Sequence, residues 1–341
     1  MKKIGFVTSF GIGGGGHTNE VLCKLLKYHY KENIQFFYNK YSCTLPNEPS
    51  RFNNYSFCKL IKIVNSEELN NYNLDILIVH RSGNDFWALP NFENIHFSFK
   101  IIEINFHGEI KTKADLRIFP SISLVNYHNI NHVPHMIIPN PISYVNNNDN
   151  FRSELNLNDK FVVGRVARAD LDIYCDINLK AYKNIEDENT VFLYLNPSQQ
   201  AINDSKKLNI KNIIFLDPTT DTKYLDKIYN TFDIHIHSNS IGETFGNSVA
   251  ESFIRGIPTI SHDGFHYWPQ AHKEFFITTP DMYINKENIN NMISKYTNIL
   301  NKLMTDLNYR KTIAKKQQDY AKSNFAENIV ISKYIQLIDS V

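Results

Sequence analysis

FDIHIHSNSIGETFGNSVAESFIRGIPTIS, Phe232 to Ser261, is the stretch on which the fold turns. It opens on an apolar run, Phe232–His237, in which His235 and His237 lie two apart and so share a strand face. A loop follows, holding Gly242, Glu243, Thr244, Phe245 and Gly246. A helix is expected to start near Asn247 or Ser248, both good capping residues, and to stop at Gly256 and Pro258. A second apolar run, Pro258–Ser261, closes the unit. Strand, helix and strand within 30 residues is the repeating piece of a parallel α/β sheet. Val249 and Phe253 lie four apart and are expected to face the core, which puts Glu251 on another face. The amides of Gly246, Asn247 and Ser248 then form a helix N-terminus suited to an anion. Glu243 stands just before it and Glu251 about two turns later.

The same rhythm extends in both directions. Upstream, Phe161–Val166, Val191–Leu195 and Ile213–Leu216 read as strands, with helical segments between them. Earlier still, Lys3–Ser9, Ile34–Tyr38, Leu74–His80, Lys100–Phe106 and Leu116–Pro120 are mostly continuous apolar runs, which suit strands of a parallel sheet covered on both faces. Thr18–Tyr30 carries Val21, Leu22, Leu25 and Leu26 at the spacing of an amphipathic helix. Ile137–Asn150 breaks the pattern with a Pro/Asn-rich linker, IIPNPISYVNNNDN. From about Lys286 the tail has helical sequence only. A length of 341 residues accommodates two domains. The expected architecture is α/β, with two doubly wound halves and a site in the cleft between them, at the carboxyl ends of their strands.

Composition narrows the function. Lys+Arg number 36 and Asp+Glu 35, a formal net charge of +1, so no basic excess points to a nucleic-acid partner. The first 150 residues hold 14 Lys+Arg against 12 Asp+Glu, so a neutral acceptor is favoured over an anionic lipid, with peripheral membrane contact left open. No window approaches a membrane span. The N-terminal MKKIGFVTSF reads as a first strand rather than a secretory leader. Cys23, Cys43, Cys58 and Cys175 form no C-x-x-C pair, which suits a reduced, cytoplasmic protein without structural zinc.

Gly11, Gly13 and Gly16 satisfy G-x-G-x-x-G between a strand and a helix, where bare backbone lets amides approach a phosphate or sugar. A nicotinamide cofactor would also need an acid after the second strand, and Asn39 and Lys40 stand there instead. Asp170-Leu-Asp172 is a formal D-x-D, but it lies in a loop opening the second half, where metal binding is not favoured. His235 and His237 are a minimal metal pair without an evident third ligand, so no metal site is assigned. HDGFHYWPQAH, His262–His272, serves equally well as an aromatic platform or as packing beneath a loop. No G-x-S-x-G elbow is present.

Glu243 and Glu251, seven residues apart, resemble the E-x-seven-E signature of retaining GT-B glycosyltransferases of the family 4 type. Further motifs in the same order are similar to that family: GGGGH at Gly13–His17, IPNP within His135–Ile142, VVGRVAR at Val162–Arg168, and NIIFLDP followed by YLDKIYNTFDIHIHS at Tyr224–Ser238. The resemblance spans nearly the whole chain. It implies a GT-B fold of two Rossmann-like domains facing across a cleft. An acceptor-side domain would occupy residues 1–145, with a helix at 326–341 packing back on it, and a nucleotide-sugar domain residues 146–325.

The resemblance also implies roles. Arg165 or Arg168 would neutralise the donor diphosphate, Glu251 would hold the ribose hydroxyls, and Glu243 would contact the donor sugar. Thr244, Phe245, Gly246 and Asn247 would supply backbone donors. Gly14, Gly15 and Gly16 would line the site, and His107 would reach the reacting sugar from the first domain. Where the family usually has a Lys five positions after the Arg of its GR element, this chain has Asp170. The implied activity is metal-independent retaining transfer from a UDP-, GDP- or ADP-sugar to a glycan or other hydroxyl acceptor, with no cofactor. Two other readings stay open: a non-catalytic nucleotide-sugar-binding subunit of the same fold, and an NAD-dependent oxidoreductase.

Overall fold

The computed structural model describes residues 2–10, 14–39, 52–81, 92, 95–110, 113–145, 147–266 and 268–341. Gly11, Gly13, Lys40 and Cys43, used in the sequence reading, lie outside the described residues. The chain forms two compact units, Met1–Ile142 with Phe325–Val341, and Ser143–Asn324.

In the first unit the order is β1 (Ile4–Val7), α1 (Gly14–Tyr30), β2 (Ile34–Tyr38), β3 (Leu60–Lys62), β4 (Ile76–Arg81), β5 (Lys100–Asn105), β6 (Leu116–Phe119), α2 (Ile122–Tyr127) and β7 (His135–Ile137). The strands form one sheet in the order β3-β2-β1-β4-β5-β6-β7, and neighbouring strands pair in parallel throughout. All four residues of β1 are buried. Phe6 pairs with Phe36 on one side and Ile78 on the other, so β1 and β4 flank the point where strand order reverses. The helix expected from Thr18 starts four residues earlier, at Gly14. Gly14, Gly15 and Gly16 therefore form its first turn, and burial deepens from exposed to buried across them.

The second unit runs β8 (Phe161–Val166), α3 (Ile177–Lys183), β9 (Thr190–Leu195), α4 (Gln199–Lys207), β10 (Ile213–Leu216), α5 (Thr222–Tyr229), β11 (Ile234–Ile236), α6 (Asn247–Ile254), β12 (Thr259–His262), β13 (Tyr283–Ile284), α7 (Ile289–Thr305) and α8 (Leu307–Asn324). Its sheet has the order β10-β9-β8-β11-β12-β13, again parallel, with the reversal between β8 and β11. Alternation along β8 sends Val162 into a cluster with Leu193, Ile228, Tyr229 and Phe232, while Arg165 faces away from it. Gly164 is required here, because a Cβ would lie 2.1 Å from the Phe232 ring.

One more helix, α9 (Glu327–Ser340), belongs to the first unit. Its Val330, Tyr334, Leu337 and Ile338 join the core of β1, β2, β4 and α1. Tyr30 Oη donates to Asp339 Oδ1 at 3.0 Å, and Ile142 N to Phe325 O at 2.8 Å. Buried apolar side chains of this size contribute about 1.5–3 kcal/mol each, so α9 is a structural part of that unit.

Candidate functional site

In an open parallel sheet, ligands bind at the carboxyl ends of the strands where strand order reverses. In the second unit this region collects most of the residues that the sequence singled out. The helix α6 begins at Asn247 with Gly246 as its cap, in a left-handed conformation (φ 100°) and without a capping side chain. Asn247 and Ser248 are thus the first helical residues rather than the caps. Gly246 is needed twice over: its φ suits glycine, and a Cβ would approach His272 Cβ to 2.8 Å. Val249 and Ala250 both donate to Gly246 O, so the amides ahead of them lie outside the helical ladder. Phe245 anchors the turn, buried against Phe275 at 5.0 Å between ring centres, while Thr244 is half-buried.

Glu243 sits on the approach to this turn, pinned by its own backbone. Its N–H donates to Pro269 O at 2.8 Å and its carbonyl accepts from Ala271 N at 3.0 Å. The side chain stays 27% exposed. Its Oε1 accepts from Asn239 Nδ2 at 2.7 Å and lies 3.4 Å from His237 Nε2. Burial alone would raise this carboxyl, but the bond and charge of His237, the charge of His272 and the Asn239 amide outweigh it. The carboxyl is brought down to about 2. Glu243 is therefore a carboxylate at any working pH.

Glu251 is only 7% exposed. The helix α6 is buried throughout Val249–Ile254, so the face that carries Glu251 is covered as well. Tyr229 Oη donates to Glu251 Oε2 at 2.8 Å. Arg255 lies 4.9 Å from the Tyr229 ring centre, donates to Glu251 O at 2.7 Å and to Asp226 Oδ1 from Nε at 2.9 Å. Burial, then the charge of Glu251, pushes the Tyr229 hydroxyl well up, so it remains a donor. No spacing in the sequence joins Tyr229 to Glu251; only the fold does.

Arg165 is 1% exposed, bonds through Nη2 to Ser238 O, and stands 5.5 Å from the Tyr194 ring centre. Its Nε and Nη1 have no hydrogen-bond partner. A buried guanidinium with two unanswered donor atoms is costly, and the sites where such costs persist are typically sites of ligand chemistry. Arg168, by contrast, is exposed and paired with Asp170 at 2.7 Å. That pair occupies the D-x-D loop.

The two strand histidines do share a face, and both look onto α6. His235 Nδ1 lies 3.1 Å from Ser252 Oγ and His237 Nδ1 3.2 Å from Ser248 Oγ. Residues two apart on the strand thus match residues four apart on the helix. Among the described residues, no group of three or more His, Cys, Asp or Glu is placed to hold a metal ion.

In the first unit, His107 follows β5 on a turn organised by Asn105. Asn105 Oδ1 accepts from His107 N at 2.9 Å and Gly108 N at 2.8 Å, and its Nδ2 donates to Glu109 O at 2.8 Å. The Asn-x-His-Gly order is the one signal that could have pointed to this turn. Gly108 has φ 79°, and a Cβ there would meet the His128 ring at 2.1 Å. His80, at the end of β4, lies 3.2 Å from Ser9 Oγ through Nδ1. Burial, then the nearby His107, lowers it to about 3. Asn39 follows β2 and is buried, and the described chain offers no acid at that strand end.

No protein-family model matches the chain, and no curated protein does. Solved structures do. HepE of Anabaena, in complex with UDP-glucose, matches with a TM-score of 0.74 at 14% identity over 100% of both chains. Sucrose-phosphate synthase of Thermosynechococcus elongatus gives 0.74 at 15%, again over 100% of both. A glycosyltransferase from Rickettsia africae gives 0.72 at 15%, over 98% of this chain and 97% of that one. At these identities the likeness is one of fold: the chain has the GT-B arrangement of two Rossmann-like parallel-sheet domains shared by these glycosyltransferases.

Proposed function

We propose that the chain transfers a sugar from a nucleotide-diphosphate-sugar to a hydroxyl acceptor, a glycan or a small molecule. One observation carries this reading. Glu243 and Glu251 flank the N-terminus of α6 at the sheet's reversal point, beside a buried Arg165 with unanswered N–H donors. Glu251, held by Tyr229, would accept from the ribose hydroxyls. The α6 amides and Arg165 would meet charge developing on the leaving diphosphate, preorganised electrostatics of the kind that usually dominates catalysis. Glu243, ionised and pinned, would bind hydroxyls of the transferred sugar. His107 is the proposed sugar-facing group of the first unit, and Gly14–Gly16 at the start of α1 leave bare backbone for a close approach. Retention of configuration and independence from metal or cofactor belong to the same proposal, through the E-x-seven-E resemblance. The binding of UDP-glucose by HepE supports a nucleotide-sugar donor. No described helix is long and apolar enough to cross a membrane, and Cys23, Cys58 and Cys175 are free thiols. A cytoplasmic placement belongs to the same proposal, on the few cysteines of the sequence and their lack of C-x-x-C spacing.

The test is a thermal-shift screen with UDP, GDP and ADP and their glucose conjugates. A ligand that binds only the native state at 100 times its Kd adds about 2.7 kcal/mol and raises Tm. A rise with one base is expected; no rise with any of them removes the reading. The anomeric configuration of the product, read by proton NMR, then decides between retention and inversion.

A further inference from the structure

The donor site assigned above is short of positive charge. It would bring a diphosphate next to the Glu243 carboxylate, yet Arg168 is engaged with Asp170 and Arg165 is the buried guanidinium at the reversal point. Imidazoles fill the gap. His237 touches both halves of the site, lying 3.4 Å from Glu243 Oε1 and, through its other nitrogen, 3.2 Å from Ser248 Oγ in the first turn of α6. His272 is fully buried, with its ring edge-on to that of His237 at 5.1 Å, and a hydrogen bond with the His262 backbone favours its charged form. Its Cβ packs against Gly246, the residue at the mouth of the helix.

We propose that His237 and His272 form a protonatable pair that supplies the missing cation: a nucleotide-diphosphate-sugar arriving at the α6 N-terminus draws one proton onto the pair. The proposal rests on the donor assignment above.

The surroundings set the direction. From β8, Arg165 disfavours further positive charge on this cluster, as do His235 on β11 and His262 on β12. Glu243 favours it, and so does Asp263 toward His262. Tyr296 on α7 donates to His237 O at 2.7 Å and Tyr283 on β13 packs its ring on His272; both phenols are pushed up and stay neutral. Cys175, ahead of α3, is likewise held as a thiol, chiefly by burial. Burial first, then His237, holds His272 down to about 3, so in the free protein it is neutral near pH 7. An anion beside the pair favours its charged form. The bound state then carries more protons than the free one, and affinity rises as pH falls, about tenfold per pH unit where uptake is one full proton.

The test is titration calorimetry near pH 7 with UDP-glucose, GDP-glucose and ADP-glucose, whose diphosphates do not titrate there. Each is run in phosphate and in Tris, buffers of different ionisation enthalpy. The difference in heat for the sugar nucleotide that binds should report close to one proton taken up. In His272→Asn and His237→Asn uptake should fall toward zero and the Kd at pH 7 should rise about tenfold. Binding without proton uptake in the unaltered protein overturns the pair and leaves the donor assignment standing. Uptake retained in both variants also overturns it. Failure of all three sugar nucleotides to bind overturns the donor assignment and the pair with it.

Discussion

The two reversal points of this chain have the same topology and opposite chemistry. Between β1 and β4 the polar groups are neutral side chains tied into one network, with Asn19 Oδ1 and His80 Nε2 left without a hydrogen-bond partner. Asn19 Nδ2 donates to Thr8 Oγ1 at 2.5 Å, Tyr55 Oη at 2.6 Å and Ser9 O at 2.9 Å, while Ser9 Oγ meets His80. Between β8 and β11 the groups are charged or chargeable, and Arg165 keeps two donor atoms, Nε and Nη1, without a partner. An unpartnered charge costs more to bury than an unpartnered neutral group, so the larger cost sits at the second reversal point. The same strand order thus carries a neutral network in one unit and charged groups in the other. Fold alone does not assign function; the side chains at the reversal point do.

Four results would break or sharpen that contrast. The largest is expected from Glu243→Ala, which should lower kcat by about 10³-fold, the scale of losing a charged group aimed at the reacting centre, with Tm little changed. A fully active variant would empty the second reversal point of its role. Next, Tyr229→Phe removes one hydrogen bond to a buried carboxylate, worth about 1.5–3 kcal/mol. It should weaken binding of the nucleoside diphosphate about tenfold or more and narrow its preference over the 2′,3′-dideoxy analogue. An unchanged preference would detach Glu251 from the ribose. A smaller effect is expected from Asn105→Ala, which loosens the His107 turn. Transfer should drop about tenfold, the order of a mispositioned group, with the nucleoside diphosphate Kd unchanged. Loss of affinity there would blur the division of labour between the units. Last comes the pH dependence of stability. The Glu243 carboxyl is held down to about 2 in the fold. Its contribution is therefore present above its unfolded value and lost as pH falls toward 2. The Tm difference between the protein and Glu243→Gln should shrink on acidification over that window and stay flat at neutral pH.

Much of this was visible in the sequence, and what was not has a physical reason. Ile34–Tyr38, Phe161–Val166 and Ile213–Leu216 were read to the residue because each is a mostly apolar run, with Gln35 and Arg165 the polar exceptions. The short strands β3, β7 and β13 were not, since two or three residues carry no periodicity and Leu60–Lys62 is half exposed. Gly14 opens α1 although glycine is a poor helix former, because position after a strand overrides propensity. At the candidate site, residue types and spacing marked Glu243, Glu251 and Arg165. Burial of Glu251 by Tyr229 and the edge-on contact of His272 with His237 were out of reach. Each joins residues that only chain crossing brings together. The His235–His237 pair shows the limit well: the shared face was legible, but not that the face looks onto Ser248 and Ser252.

The return of α9 carries a consequence for synthesis. The ribosome makes β1 to β7 first, yet the residues that close their core, Val330, Tyr334, Leu337 and Ile338, are made after all of Ser143–Asn324. The second unit can therefore finish folding while the first still exposes an uncovered apolar face beside α1. Order of translation and order of completion are reversed. Loss of Glu327–Ser340 would injure the unit that was made first.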